Sequence, residues 1–225
     1  MQDLDETALK QWIEDSLATN TNILAAGYQG KMLHYQDAGH DCLIKVPHGR
    51  GLTRFFHRHM LRHEYEVYLQ LGDFDGAPAC YGLVDEQYLV LEYIAGRTIR
   101  KKRPLDEDEF HDRLFGYIRA MHARGIAHMD LKRKDNLLVK TDESPCILDF
   151  GAAVIRKQGF HPLNHYRYRI GRQFDYNAWI KHKYHDRSTD EISMIDRNYY
   201  RTTWIESAAS AIKSIYTRLT GKSRH

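Results

Sequence analysis

The chain has 225 residues, an apolar content of 42% and a formal net charge of +3 at neutral pH. This length fits one domain, and the nearly balanced charge argues against bulk nucleic-acid binding. The three cysteines have no paired spacing, so we expect free, buried thiols in a reducing compartment. The N-terminus does not resemble a signal peptide and no apolar run is long enough to span a membrane, so we expect a cytoplasmic protein without a transmembrane segment.

The first part of the chain reads as short strands with one inserted helix. A helical extension is predicted at about residues 1–18, where Asp3 and Glu6 have the spacing of a capping box. A longer helix is predicted over Phe55–Leu71 from its apolar stripe of Leu61, Tyr65, Tyr68 and Leu69. Strands are predicted at Ile23–Ala26, Lys31–Tyr35, Cys42–Val46, Cys80–Val84 and Tyr88–Ile94.

After Gly96 the pattern becomes mainly helical. Asp106 opens a helix, and Gly125 ends it. Two short strands, Leu137–Lys140 and Cys146–Leu148, follow. Further helices are predicted at Tyr176–Tyr184 and Asn198–Leu219. For the last of these, we expect packing on the core, with a membrane surface as the alternative.

Three polar residues, Asp130, Asn136 and Asp149, stand at the ends of apolar runs, although Asp and Asn are poor strand residues. Asp149 can bind a divalent cation, and Mg²⁺ often takes only one or two oxygen ligands from the protein. Asn136 offers a second oxygen, and Asp130 could accept a proton from an attacking hydroxyl. Phosphoryl transfer from a nucleotide requires one base and two metal ligands of this kind.

The order of these residues resembles the protein-kinase-like fold. His128-Met-Asp130-Leu, then Asn136, then Asp149-Phe-Gly resembles its catalytic and metal-binding loops. Lys45, in Leu-Ile-Lys-Val, resembles the phosphate-binding lysine, and Glu64 resembles the helix glutamate that pairs with it.

Two further motifs of that fold occur in the expected order. The segment from Ala25 to Met32 resembles the glycine-rich phosphate loop with its first glycine replaced, and it contains Gly27 and Gly30. Val90–Ile94 resembles the hinge, which binds adenine through its backbone.

The resemblance implies an α+β, two-lobed kinase-like domain over residues 1–225. A small antiparallel β-rich N-lobe with one helix would span about 20–94, a hinge about 92–96, and a reduced, mainly helical C-lobe about 97–225. ATP and Mg²⁺ are the implied cofactors. The implied site comprises Asp130 and Lys45 as catalytic residues, Gly27, Gly30, Lys45, Glu64, Glu92 and Ile94 as nucleotide-binding residues, and Asn136 and Asp149 as metal ligands.

The small size, the degenerate glycine loop and the missing Ala-Pro-Glu segment are similar to the lipopolysaccharide kinase family (Kdo and heptose kinases) and its RIO-like relatives. That subset implies a sugar hydroxyl of an anionic glycolipid as acceptor and a position in the cytoplasm or at the inner membrane surface. The basic runs Arg97–Arg103 and Arg156–Arg172 would suit this acceptor. An atypical serine/threonine protein kinase is the first alternative, favoured by Lys132, and an inactive kinase-like binding module is the second.

Three local alternatives stay open in the sequence. Asp130 and Asn136 are six positions apart, where the usual kinase pattern has five, so either the loop bulges or Asp135 takes part of the role of the asparagine. Glu66 competes with Glu64 as the partner of the lysine. The helix also carries His57, His59 and His63, but no carboxylate or cysteine completes a zinc set, so a solvated basic face is expected.

Overall fold

The computed structural model describes residues 5–26, 30–37, 39–184 and 192–201. Its helices are α1 (Glu6–Thr19), α2 (Leu52–Leu71), α3 (Glu107–Ala123), α4 (Pro162–Lys183) and α5 (Met194–Arg197). Its strands are β1 (Ile23–Ala26), β2 (Gly30–Gln36), β3 (Asp41–Pro47), β4 (Cys80–Val84), β5 (Tyr88–Glu92), β6 (Gly96–Thr98), β7 (Ile126–Ala127), β8 (Leu137–Lys140), β9 (Pro145–Ile147) and β10 (Val154–Ile155). The predicted α+β class is confirmed, while the division into two lobes stays a prediction.

A five-stranded antiparallel sheet dominates the first part of the chain, with the strand order β1-β2-β3-β5-β4. Helix α1 packs against it, because Leu9 and Ile13 join a buried cluster with Leu33, Ile44 and Val90. This helix begins one residue after Asp5, whose carboxylate accepts the first-turn N–H groups. The predicted cap Asp3 lies outside the described residues. Lys45 lies on β3, which is the central strand of the sheet and pairs with β2 and β5.

Helix α2 begins three residues earlier than predicted. It buries Val67, Tyr68 and Leu71 against the core, and two polar residues, His57 and Glu64, are buried with them. Leu69, which was predicted on the buried stripe, is exposed instead. The stripe prediction was wrong there because Leu69 directly follows the buried Tyr68, and the helix turns by about 100° per residue, which points Leu69 away from the buried face.

The second part of the chain builds a larger core around α3. This helix begins after Asp106, whose carboxylate accepts the Glu109 N–H at 2.9 Å, as predicted for a cap. Gly125 follows its end with φ +78°, a conformation that glycine adopts without strain. The helix packs against α4 and against two small antiparallel sheets, β6-β8-β9 and β7-β10.

Helix α4 is much longer than predicted. It begins at Pro162, with only six residues between it and β10, whereas the sequence predicted a helix from Tyr176. The helix predicted over Asn198–Leu219 lies almost wholly outside the described residues. In the ranges that are described, none of the helices is long and apolar enough to cross a membrane.

His111 is fully buried in α3, and neither ring nitrogen has a hydrogen-bond partner among the described residues. Burial, aided by the nearby His182 and Arg103, lowers the pKa of His111 from its ordinary value of 6.5 to about 3. Between these values the unfolded chain binds a proton that the folded chain does not. Stability should therefore rise with pH across this window and be lost as the pH falls below 6.5.

We expect the free energy of unfolding to decrease by up to about 1.4 kcal/mol per pH unit from this group between pH 6 and pH 4. The variant His111→Leu should have a flatter dependence, because it has no proton to take up. Urea unfolding at each pH measures both slopes, and His161→Leu, which changes an exposed histidine, is the matched control. Parallel curves for the wild type and His111→Leu would contradict the assignment.

Candidate active site

Lys45 contacts two other residues that the sequence predicted for the site. Its Nζ lies 2.6 Å from Oε1 of Glu64 and 3.3 Å from Oδ1 of Asp149. Strand β3 supplies the lysine, α2 supplies the glutamate, and the chain leaving β9 supplies the aspartate. Lys45 is 9% exposed and Glu64 is 2% exposed, so this ion pair is withdrawn from solvent.

The charges in this cluster support one another. Burial alone lowers the pKa of Lys45, but Glu64 and Asp149 outweigh it, so the pKa is raised. Burial alone raises the pKa of Asp149, but the charge and hydrogen bond of Lys45, together with His128 and the Gly151 N–H, lower it overall. A protonated lysine therefore faces an ionised aspartate at neutral pH.

The structure places Glu64, and not Glu66, beside the lysine. The same oxygen of Glu64 that contacts Lys45 also lies 3.2 Å from the backbone nitrogen of Phe150. Glu66 is exposed and lies 3.9 Å from His63. Residues two positions apart on a helix point in different directions, so only one of the two can face β3.

The longer loop between Asp130 and Asn136 still brings these two residues together. A 3₁₀ turn over Lys134–Asn136 takes up the additional residue, and Nδ2 of Asn136 donates to the Asp130 carbonyl at 3.0 Å and to its Oδ2 at 3.2 Å. Asp135 faces away and pairs with Arg100 at 2.7 Å. Among the described residues no hydrogen bond uses Oδ1 of Asn136, so that oxygen is free to meet a cation.

His128 joins the loop that carries Asp130 to the segment that carries Asp149. Its Nδ1 accepts the Asp130 N–H at 3.2 Å, which leaves Nε2 to donate to the Leu148 carbonyl at 3.0 Å. The His128 ring also packs against Phe150, with 4.9 Å between centroids. Asp149 itself has φ 63° and ψ 77°, a left-handed conformation that is uncommon outside glycine. These contacts hold its carboxylate toward Lys45.

Asp175 organises the candidate catalytic loop from behind, and sequence reasoning did not assign it this role. The residue is fully buried in α4, and its carboxylate accepts the N–H groups of His128 and Met129 at 2.8 and 2.9 Å and Nε2 of His122 at 2.9 Å. Gly171 permits this approach, because a Cβ there would lie 2.9 Å from Ala127 and Met129 side-chain atoms. An aspartate in the apolar middle of a helix is the signal that could have revealed it.

A cavity of about 430 Å³ lies beside the lysine. Its lining includes Gly30, Lys45, Glu64 and Asp149, together with Arg133 and residues of α2. The predicted residues Asp130, Asn136, Glu92 and Ile94 are not part of this lining, and Gly27 lies outside the described residues. The structure therefore gathers four of the predicted site residues around one cavity, while the residues predicted for the hinge are not part of its lining.

Gly30 has a structural role of its own. It pairs with Pro47 at the start of β2, and a Cβ at this position would collide with the Val46 carbonyl oxygen. Glu92 is the last residue of β5, two positions before Ile94. Its carboxylate accepts a hydrogen bond from the Ala79 N–H at 3.0 Å. These contacts fix the backbone at two places where the kinase-like resemblance expects nucleotide contacts.

The α2 histidines do not converge on a metal site. Nδ1 of His57 lies 2.8 Å from the His48 carbonyl, whereas Nε2 of His63 lies 2.8 Å from the Ala153 carbonyl. Within the described ranges no group of three or more His, Cys, Asp or Glu side chains is arranged to hold a metal ion. Mg²⁺ differs, because one carboxylate such as Asp149 and one amide oxygen such as Asn136, completed by phosphates and water, suit its chemistry.

Comparison with known proteins supports a kinase-type protein on a short segment. The chain is 32% identical over 71 residues to Serine/threonine-protein kinase D of Synechocystis. The match covers 30% of this chain and 14% of that relative, so the chain corresponds to only a small part of it. No known family model matches the chain. The lipopolysaccharide kinase and RIO-like subset therefore stays a prediction.

The pairing of Lys45 with Glu64 can be tested by a double-mutant cycle. Lys45→Met should weaken ATP binding and turnover together, and Glu64→Gln should do so more mildly, because the glutamate only orients the lysine. The two losses should be non-additive, since the pair acts as a unit. Kinetics with ATP as the varied substrate measure the cycle, and the same cycle with Glu66→Gln is the control. Losses that simply add for Lys45 and Glu64 would disprove the pair.

Asp175→Asn should destabilise the protein and disorder the candidate catalytic loop. An asparagine keeps one acceptor oxygen, but its NH₂ group would face a donor N–H in a buried position. We expect a loss of roughly 2–4 kcal/mol in the free energy of unfolding. Chemical denaturation measures this loss, and Asp112→Asn on the exposed side of α3 is the control. Equal stability of the wild type and Asp175→Asn would remove this positioning role.

Proposed function

We propose that the chain is an ATP- and Mg²⁺-dependent phosphotransferase that acts on an alcohol. The observation that carries the proposal is the buried Lys45, held between Glu64 and Asp149 at the wall of a 430 Å³ cavity. The short similarity to a serine/threonine protein kinase adds support. Phosphoryl transfer is catalysed mainly by positioning and electrostatic stabilisation, and a fixed cation beside metal ligands serves both purposes.

Each predicted site residue then has a role. Lys45, oriented by Glu64, would contact the α- and β-phosphates of ATP, and the backbone near Gly27 and Gly30 would lie over them. The backbone of the hinge, about residues 92–96 with Glu92 and Ile94, would bind adenine. In this proposal the five-stranded sheet with α2 is the N-lobe and the mainly helical remainder is the C-lobe of one kinase-like domain.

The transfer itself would use the loop residues. Asn136 and Asp149 would ligate Mg²⁺, which supplies charge neutralisation at the phosphates when bound. Asp130 would accept the proton of the acceptor hydroxyl as its oxygen bonds to the γ-phosphorus. The bond from that phosphorus to the bridging oxygen breaks, and ADP leaves with the electron pair.

For the acceptor we propose a sugar hydroxyl of a lipopolysaccharide core. Only six residues separate β10 from α4, which leaves little chain for the segment that docks peptides in typical protein kinases. The run Arg97–Arg103 contributes less than its sequence suggests, because Arg97 pairs with Glu143, Arg100 with Asp135 and Arg103 with Glu107. The run Arg156–Arg172 makes no such ion pairs in the described part of the chain.

The second candidate is an atypical serine/threonine protein kinase. The similarity to Serine/threonine-protein kinase D favours it, as does Lys132 two positions after Asp130. A kinase-like binding module without chemistry is the remaining alternative, and retention of Lys45, Asp130 and Asp149 argues against it.

Transfer of radiolabelled phosphate from ATP separates these candidates. The protein is incubated with labelled ATP and Mg²⁺, either with a lipopolysaccharide core that lacks phosphate or with a generic basic protein. We expect label on the glycolipid, and none with Asp149→Ala. Label only on the protein substrate would favour the protein kinase. Binding of ATP without transfer to either acceptor would favour the module.

A further inference from the structure

A basic and apolar surface follows β10, on the turn that leads into α4 and on the outer face of this helix. Phe160 is 91% exposed, Leu163 is 80% exposed, and Tyr166 is also exposed. Five exposed cations lie in the same stretch of the chain, between Arg156 and Arg172. We define the β10–α4 surface as Phe160, Leu163 and Tyr166 together with Arg156, Lys157, Arg167, Arg169 and Arg172.

The charge of the β10–α4 surface is not neutralised locally. The sequence contains no Asp or Glu between Phe150 and Phe174. In the part of the chain that the structure describes, none of the five cations forms an ion pair with a carboxylate. Arg169 lies over the Tyr166 ring at 5.5 Å and Arg172 over the Tyr168 ring at 5.9 Å. These cation–π contacts do not neutralise the positive charge of the two arginines.

The turn that presents Phe160 is fixed by hydrogen bonds. The Lys157 N–H donates to Oδ1 of Asn164 at 2.8 Å, and Nδ2 of Asn164 donates to the Ile155 carbonyl at 2.9 Å. Nε2 of His165 lies 2.8 Å from the Lys157 carbonyl. These hydrogen bonds fix the turn that exposes Phe160. Binding through Phe160 would therefore lose little conformational entropy of the backbone.

Helix α4 has two distinct faces. The inner face buries Tyr168, Gly171 and Asp175 against the core. Leu163, Tyr166 and Arg167 are three and four positions apart, so they share the outer face. Scattered exposed apolar residues are normal on proteins, but these three follow one another at intervals of three residues, and the cations of the same stretch pair with no carboxylate among the described residues.

We propose that the β10–α4 surface docks on an anionic phospholipid bilayer. Phe160 and Leu163 enter the interfacial region, and the cations contact the lipid phosphates, a combination typical of peripheral membrane binding. Duplex nucleic acid or an acidic peptide would match the charges but leave Leu163 and Phe160 in water. Single-stranded nucleic acid could stack on Phe160 but offers nothing comparable to Leu163.

This docking goes beyond the proposed function and does not depend on it. The inner face of α4 holds the candidate catalytic loop through Asp175, and a helix is roughly 10 Å in diameter. A bilayer on the outer face would therefore place that loop about one helix diameter from the lipid surface.

Co-sedimentation with vesicles, measured without ATP, tests the proposal independently of catalysis. The wild type should bind vesicles that contain phosphatidylglycerol much more tightly than pure phosphatidylcholine vesicles, and binding should weaken as salt rises. Phe160→Ser should weaken binding roughly tenfold or more, since a phenylalanine no longer leaves water. The double change Arg167→Gln and Arg169→Gln should also weaken it roughly tenfold or more.

Matched variants elsewhere on the surface serve as controls. Phe55→Ser changes another exposed phenylalanine, and the pair Arg50→Gln and Arg58→Gln removes two exposed cations away from the β10–α4 surface. Both should bind vesicles as the wild type does. All variants should keep the wild-type melting temperature, because every altered side chain is exposed.

Fluorescence of a tryptophan at position 160 shows whether this side chain enters the bilayer, which distinguishes a lipid partner from other anionic partners. The variant Phe160→Trp should gain a blue-shifted emission on anionic vesicles, relative to the wild type, and brominated lipids should quench it. Failure of the wild type to bind anionic vesicles, or unchanged binding by Phe160→Ser, would overturn the proposal. Tighter binding to single-stranded DNA or to polyglutamate than to anionic vesicles, lost in the arginine variant, would also overturn it and assign the surface to that partner.

Discussion

Replacing Asp149 with alanine should abolish Mg²⁺-dependent phosphate transfer and leave the fold intact. The carboxylate is partly exposed, and its contact with Lys45 at 3.3 Å is longer than the 2.6 Å contact that Glu64 supplies. The lysine would therefore keep its closer partner, and the protein would lose little stability. The metal would lose the only charged ligand that we assign to it, and phosphoryl transfer depends on that charge.

The measurement is turnover as a function of Mg²⁺ concentration, with thermal melting as the check on folding. Asp135→Ala is the matched control, because Asp135 is adjacent to Asn136 but pairs with Arg100. It should retain turnover. An Asp149→Ala protein that melts like the wild type and keeps full activity would refute the metal role. Loss of activity in Asp135→Ala would instead transfer that role to Asp135.

The sequence predicted those elements whose own pattern is strong. Strands β1, β4 and β8 have the predicted bounds, because glycines or turn residues flank short apolar runs. Strands β6 and β10 were not predicted, since they contain three and two residues and exist only through pairing with β8 and β7. Their stabilisation comes from partners distant in the chain, which a local pattern does not contain.

Helix α4 shows a second reason for a missed element. Its first half, from Pro162 to Arg172, carries many charged and polar residues and too few apolar ones for a clear stripe. A helix that packs one face on the core shows only a weak periodicity of apolar residues in its sequence when small residues such as Gly171 contact the core. The helix packs on Ala127 and Met129 at Gly171, a contact that no apolar stripe in the sequence reveals.

The residues of the candidate site also fall into those that the sequence predicted and those that it did not. The resemblance to the kinase-like fold assigned Lys45, Glu64 and Asp149 to one site, and the structure places these three side chains in contact. The role of Asp175 could not be predicted in this manner, since its partner His128 lies 47 positions earlier. The ion pair of Arg97 with Glu143, 46 positions apart, was hidden for the same reason, and it reduces the charge available from that basic run.

Asp130→Ala should lower kcat by roughly 10²–10⁴-fold and leave ATP affinity almost unchanged, the usual effect of losing a positioned acid–base group. The carboxylate contacts Asn136 at 3.2 Å and Arg133 at 3.7 Å, and it is not part of the lining of the cavity beside Lys45. In the proposed function, nucleotide binding and proton acceptance would therefore depend on different residues. Single-turnover transfer measures the chemical step, and equilibrium binding of ATP measures affinity separately.

Asp130→Asn separates proton acceptance from loop geometry. An asparagine oxygen can still accept the Asn136 amide hydrogen bond, so the 3₁₀ turn over Lys134–Asn136 should persist. It has no basic carboxylate, so its kcat should fall as far as that of Asp130→Ala while the melting temperature stays near the wild-type value. If Asp130→Asn transferred phosphate at the wild-type rate, the side chain would serve to shape the loop, and the acceptor proton would have to leave by another route.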